Sequence, residues 1–311
     1  PMRLLTIDGK LVSVSGKAIE IPDTAGGVYQ LEVSTSAGAT VTATKDTASV
    51  SNTADASGQC TLTLYAAGEW TITASLNGIS TSQAFVIGTQ SMTLSLADPV
   101  FTNNDWSAII AACQRNQVPD TWAVGDQKSM DIGGTSYTID IIGKNHDTYA
   151  AGGTVPLTFG LHDCYAETKA MNSSNTNSGG WKNSAMRTTH LPAILALMPT
   201  EVQIGIREVS KKTSVGGASS TIEAVSDKLF LLSEIEIFGS TSYSAAGEGT
   251  QYDYYKAGNS KVKNRSGSAS RWWERSPYVS DSTSFCVVYG DGNADSYGAT
   301  FANGVAFGFC F

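Results

Sequence analysis

Two short stretches gather the residue types that bind metals. His146-Asp147 and His162-Asp163-Cys164 bring together two imidazoles, two carboxylates and a thiol. Zinc and iron sites take such donors at tight spacings, as in HExxH or paired CxxC, and neither spacing occurs. These residues are therefore expected to cap turns beside a strand, with His162 held by a backbone partner. No metal and no other cofactor is expected. The cysteines, Cys60, Cys113, Cys164, Cys286 and Cys310, are odd in number and scattered, unlike a disulfide framework. Most read as small buried hydrophobes. Cys286 and Cys310 could lie on adjacent strands and either pair or stay free. A reactive thiol needs a neighbouring base or cation, and neither sequence neighbourhood supplies one. No Ser-His-Asp order and no GxSxG elbow is present. The chain offers no catalytic residues, and an enzyme is not expected.

Binding chemistry is concentrated at the end of the chain. The tail opens with Arg271-Trp272-Trp273-Glu274-Arg275-Ser276-Pro277 and closes with Gly304-Val305-Ala306-Phe307-Gly308-Phe309-Cys310-Phe311. Between them, Ser280 to Phe301 mixes Ser, Asp, Tyr, Gly, Ala, Thr, Phe, Val and Cys. Adaptable binding surfaces use this vocabulary, with Tyr for rigid contact area and Ser, Gly and Asn for hydrogen bonds. After Glu274 there is no Lys, Glu, Gln, Met or Trp. A codon ending in a pyrimidine can encode none of these. Scrambling the first two bases of an asparagine codon would leave that footprint. The bland account is a Ser/Gly-rich end of a β-rich domain, short of Lys and Glu by chance.

The tail resembles the variable region of proteins diversified by diversity-generating retroelements. Residues from about 100 to 311 resemble a phage and gut-bacterial family on a C-type lectin scaffold, related in fold to the formylglycine-generating enzyme. The blocks that carry the resemblance recur in the family in this order: Ile142-Gly143-Lys144-Asn145-His146-Asp147, Trp181 with Ser184-Ala185-Met186-Arg187, Asp227-Lys228-Leu229-Phe230-Leu231-Leu232-Ser233, and the two ends of the tail. The resemblance implies a fixed framework of Cys286, Val288, Gly292 and Ala294. It leaves Val287, Tyr289 and Asp291 pointing outward among the diversified positions. Asp281, Ser282, Ser284, Asp295, Ser296, Tyr297, Thr300 and Phe301 are the other candidates, in the linking loops. If Phe285 to Gly290 is a strand, alternation puts Cys286 and Val288 on one face and Val287 and Tyr289 on the other. Tyr289, Tyr297 and Phe301, rimmed by Asp281, Asp291 and Asp295, would make a patch of aromatic anchors with a polar rim. Alternatively, Tyr289 and Phe301 fill the core and the Asp residues cap turns. Trp272, Trp273 and Arg275 are read as scaffold. One Trp would sit in the core and the other would floor the site, with Glu274 and Arg275 as an ion pair. The Glu-Pro-Asn, Gln-Pro-Asp and Trp-Asn-Asp motifs of calcium-dependent sugar-binding lectins are absent, and Val118-Pro119-Asp120 is not one of them. Cys286 and Cys310 invite comparison with the enzyme's paired cysteines, but shared fold does not carry activity.

These residues must be positioned by what precedes them. The chain has 311 residues, 41% hydrophobic and 15% charged, enough for two cores. Its net charge of −8 argues against nucleic acid and anionic membranes. No apolar run is long enough to span a membrane, so no membrane insertion is expected. Pro1-Met2-Arg3-Leu4-Leu5 is too short for a secretory leader, and Asp8 follows. Residues 1–26 read as N-terminal strands or an attachment segment around a turn at Asp8-Gly9-Lys10, with Val12, Val14, Ala18, Ile19 and Ile21 apolar. Residues 27–88 alternate as short strands from Val28, Leu31 and Val33 onward, with Trp70 in the core and a turn at Leu76-Asn77-Gly78. Ala67-Gly68-Glu69-Trp70-Thr71-Ile72 is similar to strands of bacterial immunoglobulin-like domains. Residues 89–104 read as a linker.

The C-type lectin-like domain is placed at 105–311, with its variable region at about 271–311. Trp106, Ile109, Ile110 and Cys113 mark a helix face, capped by Asn104 or Asp105. Gly133-Gly134 joins a hairpin, and Pro156-Leu157-Thr158-Phe159 reads as a strand. Residues 172–180 read as a flexible surface loop. Trp181 to Met198 reads as helical, interrupted at Pro192. Residues 201–209 alternate, Lys211 to Ser220 reads as a loop, and Leu229-Phe230-Leu231-Leu232 reads as a buried strand. Residues 240–270 read as a long polar insertion with a basic patch at Lys261, Lys263, Arg265 and Arg271.

The expected fold is an all-β immunoglobulin-like sandwich followed by an α+β C-type lectin-like domain. The expected role is receptor binding at a phage tail tip or fibre. The partner would be a host cell-surface protein or glycan, and the chain a homo-oligomer such as a trimer in the virion tail. A bacterial cell-surface adhesin on the same scaffold is the second reading, and a cysteine-dependent oxidase the third.

Overall fold

The computed structural model describes residues 29–87, 91–93 and 97–311, with backbone strand pairs in the first 22 residues. The chain is β-rich and divides into two compact units, Pro1–Leu96 and Ala97–Phe311. Among the described residues no helix is long and apolar enough to cross a membrane.

In the first unit, Met2–Leu4 pairs with Glu20–Pro22, Thr6–Ile7 with Lys10–Leu11, and Ser13–Val14 with Lys17–Ala18. Asp8, Gly9, Val12, Ile19 and Val28 lie outside the described residues, as do the side chains of Val14, Ala18 and Ile21. From Tyr29 onward, two sheets form, the first of three strands with Ser91–Thr93 parallel to Tyr29–Ser34. Gln59–Leu64 pairs with Tyr29–Ser34. Ile79–Ile87, Gly68–Leu76, Thr40–Lys45 and Ala48–Thr53 line up as a four-stranded sheet. Alternation puts Leu31, Val33, Cys60, Leu62 and Leu64 of the first sheet into one core with Val41, Ala43, Trp70, Ile72 and Ala74 of the second. The tight turn at Asn77-Gly78 needs positive φ at both residues, which Asn and Gly supply. The Ala48–Thr53 strand, not anticipated from the sequence, is polar and mostly exposed, so it carried no apolar alternation to read.

The second unit begins at Ala97, so the 97–104 part of the expected linker belongs to it. Phe101 is buried in its core, and Asn104 is buried, its amide donating to the Asp98, Val100 and Phe101 carbonyls. The helix Trp106–Gln114 follows, capped by Asp105, which accepts from Ala108 N at 2.7 Å. The central antiparallel sheet runs in the order Gln127–Ile132, Thr135–Lys144, Leu157–Leu161, Phe307–Cys310, Leu229–Leu231. The C-terminal strand is thus held between two others. Gly308 is required there, since a Cβ would lie 2.8 Å from the Phe230 ring.

Four segments depart from the sequence reading. Thr200–Gly205 is helical, not extended. Val202 and Ile206 are buried at helical spacing, while Ile204 is exposed. Val209–Ser214 is a strand paired with Ile222–Asp227, where a loop was expected. Its inward position 211 carries a lysine, which disguised the alternation. Pro192 lies in the first turn of the α-helix Leu191–Leu195, directly after the π-helical turn Met186–His190, so the helical backbone continues through it and only the hydrogen-bond pattern changes there. The 240–270 segment is no surface insertion, because Glu248, Tyr252, Tyr254, Tyr255 and Lys263 are all buried.

Candidate ligand-binding surface

The tail builds a second, three-stranded antiparallel sheet in the order Trp272–Pro277, Ser284–Val288, Ala294–Gly298. The first two strands are buried at every residue. Trp272 and Trp273 face opposite ways, yet both are wholly buried, so neither floors an open site. Their indole N–H groups donate to the carbonyls of Lys261 at 3.0 Å and Lys169 at 2.8 Å.

Arg275 does not pair with Glu274. It forks onto Glu236 at 2.5 and 2.9 Å and donates to the carbonyls of Leu231, Glu248 and Lys212. Glu236 also meets Lys211 at 2.7 Å, and Lys211 reaches Asp147 at 2.8 Å. Burial opposes the charge on Asp147, but Lys211, with donors from Thr158 and Tyr252, holds its carboxyl at about 2. Burial pushes Glu248 up to about 7 against the hydroxyl that Ser276 donates to it. Glu274 has no protein partner for either oxygen, and burial pushes it well above the usual carboxylate range. The tail therefore rests on a buried network of charges that includes Asp147 from the first metal-like stretch. His162, from the second, is held by Asp140, with Nδ1 2.9 Å from Oδ2, and not by a backbone group. That hydrogen bond raises its pKa. Among the described residues no group of three or more His, Cys, Asp or Glu side chains could hold a metal ion. Cys286 and Cys310 are both free and wholly buried on strands of different sheets. Burial drives both thiols well above their ordinary value, the reverse of activation.

Of the residues expected to face a ligand, Val287 and Ser284 do not. Val287 sits on the middle strand, paired with Trp273 on one side and Asp295 on the other, and is wholly buried. Both faces of that strand are covered, so strand alternation exposes neither. The unbroken apolar run Phe285-Cys286-Val287-Val288 was the signal for this. Ser284 is buried and donates to Asp281 Oδ2 at 2.5 Å. Asp281 also accepts from Thr283 N and Oγ1, so it is a turn cap, with its carboxyl lowered first by the Ser284 hydroxyl. Asp291 likewise caps the Gly290–Asn293 turn, accepting from Asn293 N and Nδ2 at 3.0 Å each.

The remaining candidates gather along the outer edge. Ala294–Gly298 is half-buried throughout, which places Asp295, Ser296 and Tyr297 there. Ser282, Asp291 and Thr300 are exposed. Tyr289 is 41% and Phe301 55% exposed. Phe301 meets Tyr297 edge-on at 4.9 Å. Arg271 joins them, its guanidinium 3.7 Å from the Tyr297 ring centre and 5.0 Å from that of Tyr289. Its Nε donates to Asn303 Oδ1 at 3.1 Å.

Sequence reasoning left Arg271 in a basic patch, although Lys263 of that patch is buried and donates to the carbonyls of Leu161 and His162. Arg271 was placed at the head of the tail but given no part in the aromatic patch. Asn177 was missed altogether. The expected flexible 172–180 loop is anchored by this wholly buried amide, which donates to the carbonyls of Asp281 and Ser284 at 2.7 Å and accepts from Gly217 N at 2.8 Å. Nothing in its polar surroundings signals this. A separate cleft of about 380 Å³ is lined by Gln114, Tyr149, Arg207 and Glu208 among others, and by none of the candidate residues.

No curated protein matches the chain. Residues 158–310, which hold the buried frame and every candidate position, match a family described as a domain of unknown function (DUF6273).

Proposed function

We propose that the chain is a ligand-binding protein, with an exchangeable side-chain surface displayed on a C-type lectin-like unit that follows an immunoglobulin-like one. Its role is receptor binding at a phage tail tip or fibre, against a host cell-surface protein or glycan. The chemistry is non-covalent, and repeated copies on a virion turn weak contacts into avidity. One observation carries this reading. Tyr289, Tyr297 and Phe301 stand with Arg271 on the open edge of a sheet whose other two strands are buried at every residue. Exposed aromatic anchors over a rigid support are the usual energetic plan of a binding patch.

Labelled protein panned against a collection of bacterial isolates tests the reading. The native chain is expected to mark particular isolates. The Tyr289→Ala, Phe301→Ala double variant is expected to mark none, while melting within about 2 °C of the native chain. Undiminished marking by a folded double variant overturns the proposal.

A further inference from the structure

The aromatic edge contains one cation whose bonding is incomplete. Arg271 uses Nε on Asn303 and lays its guanidinium against two tyrosine rings. Among the described residues no carboxylate pairs with it and no acceptor takes a hydrogen bond from its two terminal nitrogens. This differs from Arg275, whose fork is filled by Glu236. A guanidinium stacked on rings, with both terminal N–H groups unspent, suits a planar carboxylate, which it can grip through two parallel hydrogen bonds.

The surroundings narrow the class of ligand. Thr300, next to Phe301 in the chain, is exposed and offers a hydroxyl. Asp295 accepts from Ser296 N through Oδ1 and has no protein partner for Oδ2, so it can accept a ligand hydroxyl. More than half of Phe301 is open, a platform for the C–H face of a pyranose ring. A polyacidic peptide fits poorly. It would bring several negative charges to a chain of net charge −8, next to Asp281, Asp291 and Asp295. A sugar acid brings one carboxylate among many hydroxyls, matching a single guanidinium that is without a carboxylate partner among the described residues.

We propose that Arg271 anchors a subsite for a carboxylated pyranose residue, such as the uronic acid of a surface polysaccharide. The carboxylate lies on the guanidinium, the ring on Phe301 and Tyr297, and the hydroxyls on Asp295 and Thr300. This rests on the ligand-binding reading above and names its ligand class. Because Arg271 precedes the diversified positions, it would keep the charge requirement constant while its neighbours change.

The test uses the full chain and four small probes: methyl glucuronide, methyl galacturonide, methyl glucoside and glucuronamide, titrated by NMR. At least one uronide is expected to bind about tenfold tighter than both neutral probes, the scale of a charge-assisted pair. Arg271→Gln is expected to remove that preference. Arg271→Lys, which keeps the charge but not the fork, is expected to retain part of it. Equal binding of uronide and glucoside, no binding of any probe, or stronger binding of an acetylated tri-glutamate peptide each overturns the proposal. The panning experiment separates the two claims. If the Tyr289→Ala, Phe301→Ala variant still loses its isolates while the uronides fail, only the sugar-acid subsite falls. If panning is also undiminished, both fall.

Discussion

Two adjoining parts of one tail behave as different materials. Trp272–Pro277 and Ser284–Val288 are buried at every residue and tied below to Glu236 and Glu248. From Tyr289 to Phe301 almost every side chain is exposed or half-exposed, Ala299 excepted. Yet the outer part is equally well bonded along its backbone. Tyr289 N donates to Asn293 O at 2.7 Å, Gly292 N to Tyr289 O at 2.9 Å, and Ala294–Gly298 pairs residue by residue with Ser284–Val288. In the frame, side chains determine stability. At the edge, the main chain and the Asp291 cap fix the path, and most side chains are left over. Under the proposed function, side chains exchanged without refolding would need that division of labour.

The largest expected effect tests the frame. Arg275→Met removes the fork on Glu236 and strips the donors from the Leu231 and Lys212 carbonyls. Breaking a buried charge pair by deleting one partner costs about 3–5 kcal/mol, a large part of a typical domain's stability. Trp70 is the sole tryptophan of the first unit, so urea melts followed by tryptophan fluorescence report mainly on the second. An unshifted midpoint would mean that the ion network does not hold the frame.

The next effect is set by pH. Glu248 is pushed up to about 7, and burial raises Glu274 well above the usual carboxylate range. A carboxyl raised on folding stabilises fully below its ordinary value and loses that contribution as pH rises through the folded one. Asp147 and Glu236 are lowered, so their contribution fades only as pH falls below the usual carboxylate range. The second unit should therefore be most stable near pH 5 and weaken toward pH 8, with Glu248 accounting for on the order of 3 kcal/mol. Glu248→Gln should flatten that slope. A native unit equally stable at pH 5 and pH 8 would show that these carboxyls are not held neutral.

Much of the fold could be read from apolar spacing. The Trp106–Gln114 helix, the Gly133-Gly134 hairpin and the Trp70 strand each carry an amphipathic period and a turn or cap of fixed chemistry. The charge network could not be read this way. Lys211 looks like a loop residue in sequence and Arg275 like the partner of adjacent Glu274, while the partners they find are 64 and 39 positions away. The exposure of the candidate residues was half legible. Tyr289, Tyr297 and Phe301 reach the edge as their types suggested. Val287 was misplaced because one-face alternation was assumed for a strand covered on both sides. Arg271 was missed because its partners are rings, which leave no charge pattern in the sequence.

Smaller effects sharpen the boundary between frame and edge at single residues. Val287→Ala deletes two buried methyl groups between Trp273 and Asp295 and should cost about 2 kcal/mol in the urea melt. Thr300→Ala should cost less than about 0.5 kcal/mol, the usual limit for an exposed side chain. The full contrast comes from randomising positions 282, 284, 287, 289, 291, 295, 296, 297, 300 and 301 with pyrimidine-ending codons and selecting only for protease resistance. Survivors should keep small polar residues at Ser284, because it bonds Asp281, and apolar ones at Val287. Asp291 should drift toward Asn or Ser, which can still accept from Asn293 N. Tyr289, Ser296, Thr300 and Phe301 should approach the input distribution, with Tyr297 between, since it packs partly on the core. Equal constraint at Val287 and Tyr289 would erase the distinction between frame and surface. A graded constraint that follows burial would mean that backbone bonding alone carries the edge, and that its side chains are free to answer to a ligand.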